Sequence, residues 1–115
     1  MKNPIEIAQE YFELSNRSDL AAIRKMFTES STYSSVNTGV YLGVDQIMEM
    51  MTRFHSGFTS LKWSVNDVRE LRPGVIEFDF VFSATGNDGQ PITRPGIEYV
   101  IVHNGLLQHV EVRNK

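Results

Sequence analysis

Over roughly the first 30 residues, apolar side chains recur every three or four positions; over roughly the last 55 they alternate. This segregation of helical from strand periodicity points to an α+β fold rather than alternating βαβ units. Asn3 is a good N-cap, Pro4 suits the first helical position, and Glu6 sits where a capping-box acid belongs. Ile5, Ala8, Tyr11, Phe12 and Ser15 then define the inner face of a first helix. Asn16-Arg17-Ser18 breaks it. Ser18 or Asp19 caps a second helix, whose stripe is Leu20, Ile23, Met26 and Phe27. Ser30 to Val36 reads as a short polar strand, and Asn37-Thr38-Gly39 as a turn. A third helix is predicted from Val44 to His55, burying Ile47, Met48, Met51 and Phe54, with Gly57 as its stop.

Strands follow. Leu61 to Val65 alternates. After a turn at Arg72-Pro73-Gly74, Ile76, Phe78, Phe80 and Phe82 share one face, and Glu77, Asp79, Val81 and Ser83 the other. Gly86-Asn87-Asp88-Gly89 is a hairpin loop. Ile97 to His103 and Leu106 to Arg113 flank Asn104-Gly105, a strong hairpin signal. Two registers stay open there. A two-residue turn pairs Val102 with Leu107 and puts Glu98, His109 and Glu111 on one face. A three-residue loop with a glycine bulge puts Glu98 with Val110 and Val112 instead. Both faces carry apolar residues either way, so the sheet is expected to be covered on both sides, by helices and by a second subunit.

With 115 residues the chain is expected to form one domain spanning 1–115, long enough to bury a sizeable core. It has no cysteine, which removes disulfides, thiolate metal sites and a cysteine nucleophile. A net charge of -3 argues against a nucleic-acid partner. Glu6 stands where a signal peptide would carry its apolar run, and no stretch approaches the ~20 apolar residues of a membrane span. A cytoplasmic protein with no membrane partner is the expectation.

The order helix, helix, polar strand, helix and long antiparallel strands resembles the nuclear transport factor 2-like superfamily, in its SnoaL-like and ketosteroid-isomerase-like branch. Tyr11 to Leu20 resembles that group's first-helix exit, with Tyr11, Asn16, Asp19 and Leu20 at the recurring positions. Phe27 stands at the usual aromatic position before the first strand. Gly43-Val44-Asp45-Gln46-Ile47 is similar to the start of its third helix, and Asn104-Gly105-Leu106-Leu107 to its last turn. The resemblance covers nearly the whole chain. It implies a cone-shaped fold: three N-terminal helices packed on a strongly curved, mostly antiparallel sheet around a pocket. It also implies a homodimer through the outer sheet face. Fold alone does not fix activity in such a group.

The resemblance gives Tyr11 the position of the ketosteroid isomerase tyrosine that donates to a developing oxyanion, and Glu98 that of its protonated second donor. Desolvation among Trp63, Phe78, Phe80 and Phe82 would raise the Glu98 pKa and let it donate. The position of the group's general-base Asp holds Ser35 here, and a serine hydroxyl takes no proton at neutral pH without its own base. Asp45 is expected to serve the helix start. His109 becomes the base candidate if it shares the Glu98 face, which requires the two-residue-turn register. His55, at a helix end, would meet the dipole as an imidazolium. No ligand spacing suggests a metal, and no cofactor is expected. Arg94, flanked by prolines, reads as a solvated charge at a strand edge or near the pocket mouth. An epoxide-hydrolase reading needs Asp–Arg–Asp, for which Asp79 and Arg94 are the only pieces, and Asp79 alternates away from the phenylalanine face.

Tyr33, Ser35, Met51, Phe54, Trp63, Phe78, Phe80, Phe82 and Val100 are expected to line the pocket, whose natural guest is a small hydrophobic molecule. Two readings of function result. One is an isomerase, cyclase or dehydratase acting on a carbonyl or phenolic compound through an enol-like intermediate. The other is a non-catalytic ligand-binding or dimeric assembly module, which the missing strand-one Asp favours.

Overall fold

A computed structural model describes residues 2–115. The elements run α1 (Pro4–Asn16), α2 (Leu20–Arg24), β1 (Thr32–Ser35), β2 (Gly39–Leu42), α3 (Gly43–Ser56), β3 (Phe58–Arg72), β4 (Val75–Gly86), β5 (Pro91–His103) and β6 (Leu106–Asn114). This is the expected α+β architecture, with three helices against one mostly antiparallel sheet. The sheet order is β2-β1-β6-β5-β4-β3, and β1 runs parallel to β6.

Local chemistry explains where α1 begins and ends. The Asn3 side chain accepts from the Glu6 N–H, and the Glu6 carboxylate accepts from the Asn3 N–H, closing a capping box ahead of Pro4. The buried face of α1 is Ile7, Ala8, Tyr11, Phe12, Leu14 and Ser15. Ile5 is only half-buried, so the stripe is rotated toward Ile7 and Leu14 relative to the expected one. At the exit, the Asn16 amide bonds both backbone groups of Trp63: Nδ2 donates to the carbonyl at 3.0 Å and Oδ1 accepts from the N–H at 2.7 Å. That side chain stands in for a neighbouring strand along part of the edge strand β3.

Asp19, rather than Ser18, caps α2. This helix is short, and Met26 and Phe27 are buried in the segment beyond it. Asp45, in the first turn of α3, pairs with Arg24 and so ties α3 to α2. The buried face of α3 includes Met50 as well as Ile47, Met48 and Met51, while Phe54 is half-buried.

The strands are longer than their alternation suggested. β3 extends well beyond Leu61–Val65, with register shifts against β4, one of them at the positive-φ residue Asp67. Such bulges bend a strand and increase its twist. β5 begins at Pro91, and its Pro95 pairs opposite Val81. β2 was not anticipated. It pairs with β1 as the other edge of the sheet.

The final hairpin combines features of both open registers. Asn104 and Gly105 have φ of 53° and 76°, the mirror-image conformation of a two-residue turn, and Val102 pairs with Leu107. The register then slips, so that Ile101 pairs with His109 and Glu98 with Val112. At the slip, the Leu107 N–H donates to the Met26 carbonyl at 2.8 Å, and the Leu107 carbonyl accepts from the Ser31 hydroxyl at 2.6 Å. These two partners satisfy backbone groups that the ladder would leave unpaired. The bulge therefore turns Val110 and Val112 inward with Glu98 and turns His109 and Glu111 out.

The outer face of the sheet is laced with charge. Arg69 pairs with Glu77 at 2.6 Å, Lys115 with Asp79 at 3.1 Å, and Arg113 with Glu111 at 2.6 Å. No described helix is long and apolar enough to cross a membrane.

Candidate functional site

The inner face of β4 and the facing helices enclose a half-open cavity of about 70 Å³. Its size is roughly half that of the ~150 Å³ apolar cavity known to hold a benzene. Phe78, Phe80 and Phe82 form one wall; Met50, Met51 and Phe54 of α3 face them; Trp63 closes one side. Phe12 packs on Phe78 with ring centroids 3.9 Å apart, and Trp63 on Phe82 at 4.9 Å. Gly96 is required by this packing. A Cβ there would stand 2.3 Å from the tip of the Phe80 ring, which lies across the glycine.

Three polar side chains meet in the buried part of the cavity: Tyr11 from α1, Tyr33 from β1 and Glu98 from β5. Glu98 is 6% exposed and Tyr11 4%. Among the described residues none hydrogen-bonds the Glu98 carboxyl, and its oxygens open on the cavity. Burial alone pushes the Glu98 pKa up to about 8. The Tyr11 phenol is raised well above its usual range, by burial first and then by Tyr33 and Glu98. Burial likewise raises Tyr33, with Glu98 adding to it. At neutral pH all three are uncharged and can donate a hydrogen bond, with the Tyr11 hydroxyl also within reach of Tyr33 and Ser15.

The remaining expected residues separate into two groups. Ser35 lines the cavity, but its hydroxyl accepts from the Asn37 N–H at 3.2 Å. Val100 does not line it. It is fully buried one inward position beyond Glu98, paired between Ile76 and Val110, and fills the core beneath the cavity. His109, a candidate only in the two-residue-turn register, does not reach the cavity either. The bulge puts it on the outer face, where Nδ1 meets the Thr32 hydroxyl at 2.7 Å and Nε2 meets Glu111 at 3.2 Å. A His109–Glu98 acid–base pair is therefore excluded by register. Asp79 and Arg94 lie on opposite faces of the sheet, so the epoxide-hydrolase arrangement is absent.

Two lining residues, Arg94 and His55, add chemistry beyond the expected lining. Arg94 takes the pocket-side alternative of its expected places and is half-buried there rather than solvated. Its position four residues before Glu98 on one strand puts both on the same face, a signal present in the sequence once the strand is extended back to Pro91. His55 also lines the cavity. Its Nδ1 bonds the Ser18 hydroxyl at 2.9 Å and its ring lies 5.6 Å from that of Trp63. Burial lowers its pKa, so the imidazole is neutral rather than the dipole-stabilised cation expected at a helix end. No three His, Asp or Glu side chains converge as metal ligands among the described residues.

A model of the SnoaL-like domain matches residues 8–110. No curated protein matches the chain. Solved structures resemble it closely in shape at low identity. An NTF2-like protein of unknown function from Burkholderia pseudomallei superimposes with a TM-score of 0.86 at 15% identity, covering 100% of this chain and 92% of the other. TerC co-crystallised with polyporic acid gives 0.83 at 13%, covering 97% and 91%. A protein with a ketosteroid isomerase-like fold from Catenulispora acidiphila, in complex with trimethylamine, gives 0.85 at 12%, covering 96% and 85%. At these identities the likeness establishes the fold.

Proposed function

The chain belongs to the SnoaL-like domain family, and from that premise we propose that it binds a small carbonyl or phenolic compound and enolises it. The observation that carries this is the convergence of Tyr11, Tyr33 and an unpaired, neutral Glu98 on one apolar cavity. Hydrogen-bond donors held in place in a desolvated site favour charge that develops on a ketone oxygen as its α-proton leaves. The donors outnumber what a merely packed core needs, since a carboxyl buried without a partner destabilises the empty protein.

With Ser35 tied to the turn, His55 supplies the acceptor. When its Nδ1 donates to the Ser18 hydroxyl, Nε2 carries the free lone pair. The α C–H bond of the guest breaks, its proton moves to Nε2, and its electron pair flows into the carbonyl, whose oxygen is met by Tyr11, Tyr33 and Glu98. Returning the proton at another carbon completes an isomerisation.

A thermal-shift series of small cyclic ketones and phenols tests the binding half. A ligand at a hundred times its dissociation constant should stabilise by ~2.7 kcal/mol, a rise of roughly 10 °C for a domain this small. Tyr11→Phe and Glu98→Gln should lose most of the rise. The chemical half is read by deuterium exchange at the α-carbon of a bound ketone in D2O, which should be slowed at least ~100-fold in His55→Gln. Binding without exchange would support the second reading, a non-catalytic ligand carrier. The occupied Ser35 hydroxyl, at the position of the related enzymes' base, favours that reading.

A further inference from the structure

Arg94 has no ionic or hydrogen-bonded partner among the described residues, although all the other arginines of the sheet's strands except Arg72 are paired with acids there. It is half-buried at the cavity, opposite Phe82. Inward from it on β5 comes Gly96, whose place is taken by the Phe80 ring, and then Glu98. Read along that strand, the cavity presents a cation, an apolar floor one ring wide, and a neutral acid. Of the ionisable groups that line it, Arg94 is the one that is charged at neutral pH, since Glu98 is protonated, His55 is neutral and both tyrosines are phenols.

We propose that the cavity's ligand is a compact monocarboxylate, with its carboxylate on the Arg94 guanidinium and a carbonyl or phenolic oxygen at Tyr11, Tyr33 and Glu98. The inference rests on the reading of those three residues as donors and adds the substrate's other end. Four residue steps along the strand separate the two Cα atoms by about 13 Å. Both side chains line the same half-open cavity, whose volume of about 70 Å³ encloses only part of a six-membered ring held between the polar ends. A guanidinium offers paired N–H donors that match a carboxylate. The small cavity volume favours such a planar group over a bulkier anion.

Two matched pairs of probes test this: 4-oxocyclohexanecarboxylate with its methyl ester, and 4-hydroxybenzoate with its methyl ester. Each is titrated by calorimetry into wild type, Arg94→Gln and Tyr11→Phe. The acids should bind wild type about tenfold or more tightly than the esters. Arg94→Gln should abolish that preference, and Arg94→Lys should restore part of it. Esters that bind wild type as tightly as the acids, with affinity lost in Tyr11→Phe, would overturn the inference and leave the donor site standing. Acid binding that depends on Arg94 but not on Tyr11 would uphold the anion site and overturn the donor reading. Failure of every probe to bind folded wild type would overturn both. Circular dichroism of each variant confirms that it is folded.

Discussion

Glu98 sets the chemistry of the cavity and also loads the fold. In an unfolded chain it titrates near the ordinary value of 4.5; in the folded protein burial moves it to about 8. Below the lower value both states hold the proton and Glu98 has no differential effect. Between the two, the folded state keeps a proton that the unfolded state has released, so stability falls as pH rises, and the loss levels off above about 8. Its full extent is on the order of 5 kcal/mol. Glu98→Gln keeps the shape and removes the titration. The variant should match wild type near pH 4 and exceed it increasingly up to pH 8, as measured by urea denaturation across that range. A wild-type-minus-variant difference that stays flat would show that the carboxyl is not protonated in the folded protein. The sequence contained the elements of this argument, a carboxylate on a strand beside alternating phenylalanines. It did not contain the absence of a partner, which depends on what three other elements bring to the same space.

Among the elements, the clearest local signals held. The capping box of α1, the inward phenylalanines of β4 and the turn at Asn104-Gly105 all fold as their residues dictate. What could not be read was the slip after that turn. It is fixed by Met26 and Ser31, far back in the chain, which bond the Leu107 backbone where the ladder fails. A hairpin's own residues carry no trace of such partners, and that one slip moved His109 out of the candidate site. α1 and β3 show a similar dependence. Asn16 holds the Trp63 backbone through both atoms of its amide, and so fixes the wall that Trp63 gives the cavity. Asn16→Ala should cost about 1–3 kcal/mol, since it strips a partly buried N–H and C=O of their partner. It should also weaken ligand binding through Trp63. Thermal melts with and without ligand measure both effects, and Asn16→Asp, which keeps only the acceptor, should fall between the two.

At the scale of the whole molecule, charge is kept to one side of the sheet. The Arg69, Glu77, Asp79 and Lys115 cluster and the Arg113–Glu111 pair lie outside, while the inner face buries neutral donors with Arg94 at the cavity. Screening by salt acts on exposed pairs and hardly on buried neutral groups. The affinity of an uncharged ketone should therefore be indifferent to added sodium chloride, yet fall as pH rises past about 8, the value at which Glu98 ionises. The fall should approach ~10-fold per pH unit and vanish in Glu98→Gln. Ketone titrations followed by NMR at low and high salt, across pH 6 to 10, read both dependences. Salt sensitivity of the neutral ligand would place its binding site on the outer face instead.

The parallel pairing of β1 with β6 has a consequence for the order in which the protein takes shape. Residues 32–35 leave the ribosome early, but their partners are residues 109–112. Until β6 has been synthesised, β1 has only the short edge strand β2 beside it, and Tyr33 has no fixed place. Pairings so distant along the chain are slow to form. During translation the helices and the β3–β5 meander can assemble first, with the β5 edge that β6 will cover still open to water. The site is thus completed only after β6 is made, and until then the cell meets this protein as a half-made sheet with an uncovered edge, the state in which a chaperone would have most to hold.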